Sequence, residues 1–123
     1  MNRRVLLTSV AVILITILCS GLFYLMYPLR RAREAVLKQD LRAMRSAIDN
    51  YTVDKRQAPQ TLRDLVTGHY LRTIPTDPFT GNEDWRLHFG DSALSSEITV
   101  NGIDDVHSAS ALVSRGGIPY SLW

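Results

Sequence analysis

The chain has 123 residues, 46% of them hydrophobic and 21% charged, with a net charge of +2 and a mean hydropathy of −0.03. Such averages exclude a disordered chain, a collagen-like repeat and a disulfide scaffold. The single cysteine, Cys19, cannot close an internal disulfide.

The averages conceal a split. Residues 1–28 hold two charges, Arg3 and Arg4, and no acid, and the run Val5–Tyr27 has 23 residues and no charge. At roughly 1.5 Å per helical residue, that length crosses a hydrocarbon core of about 30 Å. The run is therefore expected to be one transmembrane helix, with Val5, Leu14, Phe23 and Tyr27 among its anchor positions. The rival reading is a cleaved secretory signal ending near Cys19-Ser20-Gly21. It is disfavoured because the apolar run continues from Leu22 to Tyr27. Arg3 and Arg4 precede the run and Arg30, Arg31 and Arg33 follow it, so loop charge alone does not orient it. A whole domain follows, which favours the N-terminus in the cytoplasm and the domain outside.

Pro28 predicts a helix kink, because it lacks an N–H and its ring crowds the preceding turn. The helical pattern resumes at once and continues to about Asp54. Leu37, Leu41, Met44, Ile48 and Tyr51 recur at helical spacing and form one apolar packing stripe. Arg31, Lys38, Arg42 and Arg45 form a separate basic stripe.

Pro59 breaks the chain. Thr61 with Asp64 gives an N-cap signal, and Leu62, Leu65 and Val66 predict a short helix closed by Gly68. Ile74 to Gly81 reads as a stiff loop containing Pro75 and Pro78. Trp85, Leu87 and Phe89 alternate with Arg86 and His88 as a half-buried strand. Glu97–Val100 and Ile103–His107 read as two strands about an Asn101-Gly102 hairpin turn. Ile118–Trp123 reads as a last edge segment, and Trp85, Phe89 and Trp123 as core aromatics. The expected fold class is α+β, a long helix packed on a small antiparallel sheet. The division is into an anchor, residues 1–28, and a domain, residues 29–123.

Four stretches in order carry a family likeness. They are the apolar helix with Pro28 and the run Arg33-Glu34-Ala35 to Leu41; Ala47-Ile48-Asp49-Asn50-Tyr51 with Asp54 and Pro59; Tyr70-Leu71 followed by Ile74-Pro75-Thr76-Asp77-Pro78-Phe79; and Asp105-Val106-His107-Ser108 with the ending Tyr120-Ser121-Leu122-Trp123. On these the chain resembles the type IV pilin-like proteins, and most closely the major pseudopilins of type II secretion. The family motif positions are Pro75, Asp77, Pro78, Asp105, His107 and Ser108.

The N-terminus departs from that pattern. Leu6 stands where the family has the glycine of its processing site, and Ala11 where it has a glutamate. Arg56 and Ala58 also replace the family's usual glycine and aromatic before Pro59.

The resemblance implies a pilin-like fold and a structural subunit or accessory in the bacterial inner membrane, single-pass, with its domain periplasmic. Its implied partners are like subunits, other pseudopilins and the secretion or pilus assembly platform. The alternative is a membrane-tethered binding domain that does not assemble. No enzyme is expected, and no nucleic-acid partner, since basic and aromatic residues do not alternate.

The resemblance also implies a candidate Ca2+ site, for which Asp104, Asp105 and Ser108 are oxygen donors of the right hardness. Calcium takes roughly six to eight oxygens, and turn-capping is the competing role for these side chains. Asp105, His107 and Ser108 are the residue types of a hydrolase triad. On a strand, however, Asp105 and His107 share a face and Ser108 points away.

Charge is also divided beyond the anchor. Residues 29–56 carry eight basic and four acidic side chains, and residues 57–123 carry four basic and eight acidic. A basic stem and an acidic head are thus available for pairing between subunits, or for two solvated faces.

Overall fold

The computed structural model describes residues 2–95 and 98–123; the side chains of Tyr27, 91–95 and 98–100 are outside that description. In chain order come helix α1 (Arg3–Lys55), helix α2 (Leu62–Thr67), strands β1 (Arg86–Ser95) and β2 (Ile98–His107), and a 3-10 turn at Tyr120–Leu122. The architecture is α+β. The chain divides into two compact units, Met1–Arg33 and Glu34–Trp123.

In the first unit every described side chain is exposed. α1 continues through Pro28, which has no N–H to offer the carbonyl of Tyr24. Four serine and threonine hydroxyls interrupt the apolar surface, and each is satisfied by its own helix. Thr8 donates to the Val5 carbonyl at 2.9 Å, Ser9 to Leu6 at 2.9 Å, Thr16 to Ile13 at 2.8 Å and Ser20 to Thr16 at 2.7 Å. None of the four needs a donor or acceptor from its surroundings.

The second unit is built on the stripe that the spacing predicts. Leu37, Leu41, Met44 and Ile48 are buried and Tyr51 is packed against the core, with Ala47 added to the face. Leu62, Leu65, Trp85, Ile103, Val106 and Tyr120 complete the cluster. α2 starts as expected: the Asp64 carboxylate accepts from the backbone N–H of Gln60 at 2.9 Å and of Thr61 at 2.8 Å. Its end differs. Gly68 keeps an ordinary φ of −80°, and the left-handed residue is His69, with φ 63°.

Three sequence expectations are corrected. First, Asn101-Gly102 is not a turn. Both residues lie inside β2, opposite Asp91 and Gly90 of one antiparallel pair. Gly102 is needed for close approach, not for reversal: a Cβ there would meet the Pro59 carbonyl oxygen at 2.7 Å and the Ala58 Cβ at 2.8 Å. The proposed strand start at Glu97 lies outside the described residues.

Second, Phe89 is 58% exposed, not core. The ladder shifts register beside it: His88 pairs with Asp105 but Phe89 with Ile103, leaving Asp104 as the extra residue of a β-bulge. The bulge also allows Ile103 and Val106, three residues apart, both to be fully buried. In a regular strand they would face opposite sides.

Third, the tail forms no edge strand. Val113 and Pro119 make one isolated bridge, and the chain closes into the 3-10 turn. Tyr120 is the aromatic at the centre of this region. It is fully buried, stacked on Phe79 at 4.1 Å between ring centroids and edge-on to Trp123 at 5.0 Å.

Candidate functional site

Two features of Glu34–Trp123 bring the singled-out polar residues together. The first is a turn built on Asp77, which is fully buried. Its Oδ1 accepts the N–H of Phe79 at 2.8 Å and its Oδ2 the Ser108 hydroxyl at 2.5 Å. Its own N–H donates to the Asn82 carbonyl at 2.8 Å, and its carbonyl receives the Gly81 N–H at 2.8 Å. The loop between the two prolines and Asn82 is thereby tied to residue 108, at the end of β2. The Pro75 carbonyl accepts Trp85 Nε1–H at 2.8 Å, fixing the loop's other end. Asp40, on α1, has its pKa pushed upward by burial and, secondarily, by the charge of Asp77.

The second feature is centred on Arg45. Its Nε–H donates to Asp105 Oδ1 at 2.6 Å, and its Nη2 to the main-chain oxygens of Val106 at 2.9 Å and Trp123 at 2.8 Å. One guanidinium so joins α1, β2 and the tail, using the fork geometry that lysine lacks. His107 Nδ1 lies 2.6 Å from the same Trp123 oxygen. This oxygen only accepts, so that nitrogen carries the hydrogen. Burial alone would raise the Asp105 pKa. The hydrogen bonds from Arg45 and Val106 N–H, with the charges of Arg45 and His107, outweigh burial and hold it below the usual value.

His88 Nδ1 is 2.6 Å from Asp104 Oδ1, and that hydrogen bond, then the carboxylate charge, raises the pKa of His88. Glu34 Oε1 accepts the Tyr120 hydroxyl at 2.8 Å and the Arg115 N–H at 3.3 Å. Beside this contact a groove of about 470 Å³ runs along α1, lined by Lys38, Leu41, Arg42, Ile118 and Trp123, with the Lys38 ammonium 4.5 Å from the Trp123 ring centroid.

The expected residues are therefore sorted by partner. Asp77 and Ser108 meet, and Asp105 and His107 share one network. Asp104, Asp105 and Ser108 do not converge on a common point: they turn to His88, Arg45 and Asp77 respectively. Among the described residues no three His, Cys, Asp or Glu side chains gather as a metal group. Ser108 gives its hydrogen to Asp77 and not to His107, so these residues hold no nucleophile–base pair. Of the anchor positions, Val5, Leu14 and Phe23 are exposed on α1.

Sequence reasoning missed Tyr120 and Glu34 as contact residues and placed Arg45 only in a basic stripe. Arg45 reaches Asp105 across 60 residues of sequence and Glu34 reaches the Tyr120 hydroxyl across 86, beyond the reach of any local pattern. No protein-family model, curated protein or solved structure matches the chain.

Proposed function

We propose that the chain is a structural, pseudopilin-like subunit of a type II secretion or type IV pilus-like filament system. In this reading it sits in the bacterial inner membrane, N-terminus in the cytoplasm, with Glu34–Trp123 on the periplasmic side. Its partners are like subunits, other pseudopilins and the assembly platform. The observation that carries the reading is α1 itself. Its apolar window is long enough to cross a membrane, and none of it is buried. A surface that apolar requires lipid or other helices around it. The same helix then supplies the core face of the following unit.

With Ala11 and Leu6 at the departing positions, assembly rests on apolar helix packing without a buried carboxylate. Such packing is available because the four hydroxyls are internally satisfied.

The basic groove beside Trp123 favours a second reading, a tethered binding domain. Cross-linking of the full chain in its membrane separates the two. A ladder of like subunits supports the filament reading, and a monomer at every concentration supports the binder. N-terminal sequencing of the mature chain tests the anchor. A start at Met1 or Asn2 means an uncleaved helix, a start at Leu7 pilin-type processing, and a start at Leu22 a removed signal, which overturns the proposal.

A further inference from the structure

We propose that the groove beside Trp123 receives the acidic turn Glu83-Asp84 of a second copy of this chain, making a directional, head-to-groove contact. This rests on the reading of the chain as a self-assembling subunit.

The groove's charge inventory leaves two cations for a partner. Arg45 is committed to Asp105 and two main-chain oxygens. Glu34, the acid on the rim, keeps its charge while accepting the Tyr120 hydroxyl, and the two exposed cations outnumber it. Lys38 and Arg42 are exposed, one helical turn apart on α1. Lys38 rests on the face of Trp123, which orients its ammonium without neutralising it. Leu41, Ile118 and Trp123 give the same groove an apolar floor. A fitting partner is a compact, doubly acidic turn with aliphatic stems.

The chain carries one. Gly81 to Asp84 are exposed, and this stretch leaves directly from the turn that buried Asp77 ties down at Asn82. Thr80 donates its hydroxyl to Asp84 Oδ1, which steadies that carboxylate and leaves its charge in place. Glu83 and Asp84 are therefore presented by a fixed loop, so little ordering entropy is lost on docking. Groove and turn are different patches of one surface, so the contact is heterologous and propagates from copy to copy, as a filament requires.

The test uses full-length chains in vesicles of neutral lipid, with self-association followed by cross-linking yield against dilution. One variant carries Lys38→Glu and Arg42→Glu; the other carries Glu83→Lys and Asp84→Lys. Each alone is expected to associate about ten-fold more weakly, because opposite charges become like charges across the contact. Mixed, they present matched pairs in both directions, and association should return to near the wild-type level. That rescue also shows that both variants are folded. Loss in the single variants without rescue in the mixture overturns the groove contact, as does wild-type association by either variant alone; in both cases the subunit reading survives. A wild-type chain that stays monomeric at every concentration overturns both.

Discussion

The Ser108 hydroxyl donates to the carboxylate of Asp77 across 31 residues of sequence, and both side chains are fully buried. This bond holds the proline-rich loop to the end of β2. Asp77 keeps the N–H of Phe79 as a further partner, so its charge is solvated by the protein itself.

Removing this hydroxyl leaves a buried carboxylate short of one partner. Ser108→Ala should destabilise the full-length chain by about 1–3 kcal/mol. Asp77→Ala should cost more, because it also releases the N–H groups of Phe79 and Thr80 that its Oδ1 accepts. Thermal melts in detergent micelles, followed by the near-ultraviolet signal of Trp85 and Trp123, check the order. Equal melting of all three chains would show that the bond contributes nothing.

Gly102 has no room for a side chain. A Cβ at this position meets backbone and Ala58, neither of which can swing aside. Gly102→Ala should therefore destabilise by about 1–3 kcal/mol. Gly90→Ala is the contrast. The three atoms nearest its Cβ would all belong to the movable side chain of Asp104. It should mainly release His88 from Asp104, visible as a fall in the His88 pKa by NMR, with less loss of stability.

Stability should depend on pH through two groups with opposite signs. Asp105 is held below its ordinary value of 3.8. Its contribution is present above that value and is lost as pH falls through its lowered pKa. His88 is raised above 6.5. Its contribution is full below 6.5 and is lost as pH rises through its raised pKa. Melting temperature against pH should thus show Arg45→Met flattening the acid limb and His88→Gln the alkaline one. His88 is exposed, so added salt should suppress its limb first.

The anchor is tested by a charge at its middle. Leu14→Arg places a cation where insertion costs about 2.5–3.5 kcal/mol. The variant should shift from the membrane to the soluble fraction on alkaline extraction or vesicle flotation. Leu14→Val should leave partition unchanged. An unaffected Leu14→Arg chain would mean that this segment does not span.

How much of this was legible in the sequence follows from the range of each signal. The apolar stripe on α1 was readable because helical periodicity is local and long, and Leu37 to Ile48 kept to it. The Thr61–Asp64 helix start was readable for the same reason. The Asn101-Gly102 turn was misread because the same dipeptide serves a strand that needs a residue without a side chain beside Pro59. Phe89 was misread because a bulge defeats alternation. Asp77 was noted only through a family likeness and Ser108 also as a triad residue type, and their contact depends on the fold. Arg45 looked like one of several cations of a basic stripe, since nothing near it in sequence names its partners.

The bulge also bears on insertions and deletions. Each pairing between β1 and β2 already skips residue 104. A chain lacking Asp104 alone would keep that register, and Ile103 and Val106 would become second neighbours on one face. The ladder would run straighter, and among the described residues the side-chain pairing forfeited would be that with His88. Residue 104 is thus a position where chain length can change by one without moving the core.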